Sequence, residues 1–225
     1  MRFTILTIAL LLFLFQSCIK IGTTVYSVNS GMKSAFNYKP GSYWIYKDSI
    51  TGAIDSAYVT SNQDLLYNAG GCVLEPNAPK IENIGISVFV SDGNPSDTEQ
   101  WYFSMQQSQF NIGFHNSKDS VESTMGFSLF TWPLATGMVG GSSGCVPGFD
   151  SGSVADIIPE VELNGQSYDN AARSVHAPFS ERPQIMVYND CFYVNQEAGI
   201  IKLTFIHPAD SVHRVLELQR YHIVR

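Results

Sequence analysis

Ser142 sits at the centre of Gly140-Gly141-Ser142-Ser143-Gly144, the G-x-S-x-G spacing of a nucleophile elbow, and Asp150 and His176 follow in hydrolase order. Such a serine works where a strand ends sharply at it and a helix starts behind it, exposing the hydroxyl beside an oxyanion hole. Here the match lies inside the glycine-rich run Gly137 to Ser153, with no helical pattern following. The run reads as a flexible loop and the triad as incidental. It also lacks the Lys-Ser/Thr pair that a phosphate loop needs.

Other chemistry-bearing types are present without the spacing their chemistry demands. Asp92, Asn94, Ser96 and Thr98 alternate like calcium ligands, but Gly93 is misplaced and Phe103 stands where a bidentate Glu belongs. That stretch reads as a polar hairpin loop. His115, His176, His207, His213 and His222 show no ligand spacing with one another or with cysteine. Glu160 and Glu162 alternate as a glycosidase pair might, and equally as the wet face of a strand does, which is the reading taken. No catalytic residue, metal or cofactor is expected. Tyr43, Trp44, Tyr46, Tyr58, Trp101, Tyr102, Phe103, Phe127, Phe130 and Trp132 crowd the first half of the chain. They read mainly as core, with a binding platform as the alternative.

Cys18 carries the strongest chemical signal. The thirteen-residue apolar run Phe3 to Phe15 follows Arg2 and ends in Phe15-Gln16-Ser17-Cys18. A positive start, a short apolar stretch and a small residue before the cut describe a secretory signal. A membrane-spanning helix needs roughly 20 apolar residues, so this run is too short to span. Bulky Phe15 at the −3 position fits ordinary signal peptidase badly, whereas a lipoprotein peptidase requires the Cys. Residues 1–17 are therefore expected to be a lipoprotein signal, Cys18 the acylated residue, and 18–35 a polar tether. Two or more acyl chains anchor stably where one does not.

The remaining chain is long enough for one well-packed domain, expected over 36–225. The full sequence's net charge of −7 becomes one unit more negative once Arg2 leaves with the signal. An acidic chain without Lys/Arg clusters excludes a nucleic-acid partner, whose phosphates demand positive charge. It also offers no electrostatic grip on anionic headgroups. Cys72, Cys145 and Cys191 remain in an exported, oxidising setting. Three thiols allow one bridge; the pairing favoured is Cys72–Cys145, with no bridge as the alternative.

Positioning falls almost wholly to strands. Ile84, Ile86, Val88 and Val90 alternate with small or polar residues, as do Trp101, Phe103 and Met105 beyond a turn-rich break; the two runs predict a hairpin. Asn164-Gly165, the strongest short hairpin dipeptide, separates Val161–Leu163 from Ser167–Val175. Tyr43–Lys47, Ala57–Thr60, Phe110–Phe114, Met125–Trp132, Gln184–Tyr188, Cys191–Val194, Ile201–Phe205 and Arg214–Val224 are further strands. The best helical candidate is Ser153–Ile158, barely a turn before Pro159. The fold expected is all-β and mostly antiparallel, 10–12 short strands in a sandwich or curved barrel-like sheet with very little helix.

Phe36-Asn37-Tyr38-Lys39-Pro40-Gly41-Ser42-Tyr43-Trp44-Ile45-Tyr46-Lys47-Asp48-Ser49, followed by Asp55-Ser56-Ala57-Tyr58-Val59, resembles the start of many uncharacterised lipoproteins of Bacteroidota. Asn164 to Asn170 and Ala198 to Lys202 are similar to later segments of that group. The resemblance implies a lipid-anchored β-rich domain and hands over no catalytic residues. In such bacteria surface export follows acidic residues just after the lipidated Cys. Ile19-Lys20-Ile21-Gly22 has none, which implies the periplasmic face of the outer membrane. The expected function is non-enzymatic binding or scaffolding in the cell envelope, with another envelope protein as partner. A carrier of an apolar ligand or lipid is the alternative, with a glycan binder or hydrolase behind it.

Overall fold

The computed structural model describes residues 24–68, 79–91, 98–116, 125–139, 149–150, 152–176, 191–207 and 212–225. One helix, α1 (Ser30–Phe36), and fourteen strands occur among them. In chain order these are β1 (Val25–Tyr26), β2 (Tyr43–Asp48), β3 (Ile54–Asn68), β4 (Lys80–Ser91), β5 (Thr98–Gln106), β6 (Gln109–Asn116) and β7 (Met125–Thr131). After them come β8 (Gly137–Val139), β9 (Phe149–Asp150), β10 (Gly152–Leu163), β11 (Gln166–His176), β12 (Cys191–Asn195), β13 (Gly199–His207) and β14 (Val212–His222).

The strands form one sheet in the order β8-β10-β11-β12-β13-β14-β2-β3-β4-β5-β6-β7-β9, with β1 added in parallel to β4. Twelve of them pair antiparallel and curl into a nearly closed barrel, while the short β9 pairs in parallel with β7. The first and last long strands join as neighbours, Tyr46 opposite Leu218 and Trp44 opposite Tyr221. The seam of the barrel therefore falls mid-chain, between β7 and β10. Pro159 sits in β10, a strand whose ladder partner over that stretch is β11 alone. Proline removes a ladder donor and belongs on an edge strand, which is consistent with a seam there.

Alternation places the expected runs as predicted. Ile84, Ile86 and Val88 of β4 lie opposite Met105, Phe103 and Trp101 of β5, and all six are buried. Asn164-Gly165 turns β10 into β11 with φ of 52° and 77°, the left-handed pair a two-residue hairpin requires. Two expectations are corrected. Ser153–Ile158 is strand, part of β10, with a register shift between Val154 and Asp156 that accommodates the extra residue. The second concerns residues 18–35, read as tether. Val28, Met32, Ala35 and Phe36 are each at most 4% exposed, so the ordered fold starts well before position 36.

The reason is local. Asn29 caps α1, its side-chain oxygen accepting from Gly31 N at 2.9 Å and Met32 N at 3.3 Å. Met32, Ala35 and Phe36 then share the face set by i, i+3, i+4 spacing and enter one mouth of the barrel. Phe36 packs against the rings of Phe110, Phe130 and Trp132 at centroid distances of 5.2, 5.0 and 5.9 Å. Deeper inside, Trp44, Tyr46, Trp101, Phe103 and Phe192 are all at most 2% exposed. The barrel is filled by its own side chains and plugged at one end by α1.

Candidate functional site

Most strands reach the plugged end at about the same level, but two hairpins outrun it. In the β10–β11 hairpin, β11 leaves β12 at Ala172 and continues towards β14. Asn164 Nδ2 donates to Leu218 O at 3.0 Å and Gln166 Nε2 to Gln219 O at 3.4 Å. Those carbonyls lie at a register shift between Leu218 and Arg220, where the β2–β14 ladder is interrupted.

Beneath this arm the β12–β13 turn bends into the mouth. Trp44 Nε1 donates to Ala198 O at 2.7 Å and Tyr46 Oη to Ile200 O at 2.8 Å. Asn195 organises the turn from its own side chain. Its Oδ1 accepts from Glu197 N and Ala198 N, both at 2.9 Å. Its Nδ2 donates to Asp169 O at 2.7 Å, joining the turn to β11. Arg225 completes the clamp, donating to the carbonyls of Gln196, Glu197 and, on α1, Ala35.

Between the arm, the turn and the end of β7 opens a cleft of about 940 Å³. Trp132, Pro133, Leu134 and Ile157 give it apolar lining, and Tyr168 and Tyr221 add rings. The rest is Gln166, Ser167, Asn170, Asn195 and Gln196 with the carboxylates of Asp169 and Glu197. Tyr168 Oη donates to Gln166 Oε1 at 2.8 Å, and burial, reinforced by Tyr221, raises its phenol pKa. Among the described residues no His, Cys, Lys or Arg lines the cleft. Ser167 directs its hydroxyl to Glu160. Hydrogen bonding to a neutral polar ligand, with stacking on rings, is what these groups do chemically.

The residues singled out from the sequence scatter. Cys18, Cys72, Cys145 and Ser142 lie outside the described residues, as do 92–97 of the calcium-like run and the strand expected over Gln184–Tyr188. Asp150 falls in β9 opposite Phe127, and His176 in β11 opposite Gly152. Cys191 opens β12. Glu160 and Glu162 are exposed on β10, and His222 is exposed with its ring 5.8 Å from Tyr43. No metal-holding group of His, Cys, Asp or Glu occurs among the described residues. The aromatics divide: Trp44, Tyr46, Trp101, Phe103 and Phe130 are core, Tyr58 and Tyr102 are exposed, and Trp132 lines the cleft.

Sequence reasoning missed the cleft. Asn164-Gly165 announced the hairpin that roofs it, but nothing local marks Asn195 or Arg225 as its clamps, because their partners are remote in sequence. Among the described residues no helix is long and apolar enough to cross a membrane. Comparisons with protein-family models, with curated proteins and with solved structures find no match to this chain.

Proposed function

We propose that this chain is a lipid-anchored, non-enzymatic binding domain of the bacterial cell envelope, acylated at Cys18 and held at the periplasmic face of the outer membrane. The single observation that supports a binding role is the cleft at the plugged end, whose walls are rings, amides and the two carboxylates of Asp169 and Glu197 on a braced frame. Ligand sites combine such apolar walls with a few placed polar groups. The barrel interior is filled by rings, which speaks against a carrier with an apolar ligand inside. Another envelope protein is the partner proposed. A neutral glycan is the second reading, favoured by the amide side chains Gln166, Asn170 and Gln196 beside Trp132 and Tyr221.

The anchor is tested by Cys18→Ser, for which release of the protein from the membrane fraction, or its retention as unprocessed precursor, is expected. Mature, membrane-bound Cys18→Ser protein would sink the anchoring reading. The cleft is tested with a photo-crosslinking residue at Gln196 in intact cells. A discrete cross-linked envelope protein, lost when Ser167→Arg narrows the cleft, is expected. Saturable oligosaccharide binding by calorimetry without a cross-link selects the glycan. Neither signal would overturn the binding role of the cleft.

A further inference from the structure

The second hairpin that outruns the barrel is β3–β4, and it stays extended where the first folds over. β2 last pairs β3 at Tyr58, and β5 last pairs β4 at Asn83. Past Tyr58, residues 63–68 of β3 are exposed on both faces. Here Leu65 is 40% exposed, Leu66 56% and Tyr67 46%. Successive strand residues point to opposite faces, so the ribbon carries apolar side chains on both sides. β1 extends it by one strand, with Tyr26 opposite Ile81 and Ile81 opposite Tyr67. Tyr26, Ile81, Tyr67 and Leu65 thus share one apolar face, while Val25 and Leu66 lie on the other among Lys80, Asn68, Glu82 and Asp64. Val25 and Tyr26 are 47% and 46% exposed.

An isolated exposed leucine needs no account, but a contiguous apolar patch marks a contact surface. What covers this one follows from where the chain goes next. Val25 is seven positions after Cys18, at most about 25 Å of fully extended chain. An acyl group on Cys18 therefore keeps this ribbon within about one leaflet-plus-headgroup depth of the bilayer. Tyrosine with leucine is also the pairing that suits a lipid interface, where one end of the ring is apolar and the other wet.

We propose that the exposed end of the β1–β4–β3 ribbon rests in the lipid interface, with Leu65, Leu66, Tyr67 and Tyr26 as the contacting side chains. This rests on the anchoring reading above. The acyl chains supply the affinity, and the ribbon sets the orientation, plugged end towards the membrane. The cleft shares that end, so its partner engages close to the bilayer surface. Ile54, at the other end of β3 and 49% exposed, lies about 40 Å from Leu66 along the strand and faces away from lipid.

The test uses the acylated full-length product in phosphatidylcholine vesicles with brominated acyl chains, which quench tryptophan on contact. Mass and flotation of the wild type report the anchor. Fluorescence of Leu66→Trp, Tyr67→Trp and Ile54→Trp, each corrected for the wild-type signal, reports the ribbon. At least a twofold quench of the added signal is expected at 66 and 67, and none at 54. A protein without acyl mass that fails to float overturns the anchor and this proposal together. An acylated, floating protein with equal signals at 66, 67 and 54 overturns the orientation alone. Two reporters on the ribbon keep the result readable if one variant folds poorly.

Discussion

Tyr38 and Gly199 are fitted to each other. Gly199 opens β13 with φ of +82°, and a Cβ built on it would stand 2.6 Å from Tyr38 Oη and 3.3 Å from Trp44 Nε1. The turn can tuck into the barrel mouth only because no side chain stands there. Tyr38 Oη is buried and has no hydrogen-bond partner among the described residues, and burial pushes its phenol pKa well above the ordinary value. The hydroxyl thus occupies space beside the glycine without a bond to offset its desolvation.

Gly199→Ala is therefore expected to destabilise by about 2 kcal/mol or more, from both backbone strain and the clash. Tyr38→Phe alone is expected to be neutral or stabilising by up to about 1 kcal/mol, since an unpaired buried hydroxyl costs desolvation. Chemical denaturation of the two single variants and the double checks the coupling. In the double variant the alanine should cost less, because its nearest obstacle is gone. Strict additivity would show that the clash is relieved elsewhere.

Trp44→Phe and Tyr46→Phe should behave in the opposite sense to Tyr38→Phe. Each removes a donor from a buried carbonyl, Ala198 O or Ile200 O, and a loss of about 1–3 kcal/mol is expected for each. Hydrogen exchange at the β12–β13 turn is the sharper readout. Faster exchange of Gln196 to Ile200 amides, with little change in β4 and β5, is the expected pattern. Uniform acceleration across the barrel would mean that these bonds do not hold the turn in particular.

Strand identity was legible because alternation is written along each strand: Ile84, Ile86 and Val88 need no distant partner to reveal an inward face. Asn164-Gly165 was legible for the same reason, its backbone demand being local. Closure was not. A sandwich and a barrel use the same alternating runs, and what separates them is the pairing of β14 with β2, residues some 170 positions apart, which leaves no local mark. α1 was hidden because seven residues make two turns, and Gly31 and Ser34 dilute the Met32–Ala35–Phe36 spacing. The cleft was hidden because its braces, Asn195, Arg225 and the freed carbonyls of Leu218 and Gln219, meet only in the folded chain.

Glu82 joins the helix segment to the sheet and gives stability a pH dependence. Burial pushes its pKa up, but the Lys33 ammonium, the Val28 N–H at 2.8 Å and the Asp64 side chain outweigh that and hold it below the usual value. A depressed carboxylate contributes stability above its unfolded pKa, about 4.3, and loses it as pH falls through the folded value. Asp64 runs the other way: burial, then the Glu82 charge, raises its pKa. Its ionised form therefore costs stability, a cost that sets in as pH rises through its unfolded value and is complete above its folded one. Glu82→Gln should lose about 1–3 kcal/mol at pH 7 and progressively less below pH 4. Asp64→Asn should gain stability at pH 7 and nothing under acid. Urea midpoints at pH 7 and pH 3 check both signs, and parallel pH curves for wild type and variants would refute the assignment.

Met32→Ala, read beside Phe36→Ala, decides between a tether and a plug. If residues 18–35 merely led into a domain starting at position 36, truncating Met32 within them would cost little. In the structure Phe36 is fully buried against Tyr38, Phe110, Phe130 and Trp132, and its removal leaves a cavity at the centre of that ring cluster. A loss of about 3–5 kcal/mol is expected, the range for a large-to-small change in a packed core. Met32→Ala, on the same helix face and fully buried, should cost about 2–5 kcal/mol. Lys33→Ala separates packing from charge, because it removes the Glu82 ion pair while leaving the apolar face intact, and should cost less than either. Denaturation midpoints for the three variants measure the order. Losses below about 1 kcal/mol for both Phe36→Ala and Met32→Ala would mean that α1 is not part of the cooperative barrel, and that residues 24–35 lead loosely into the domain after all.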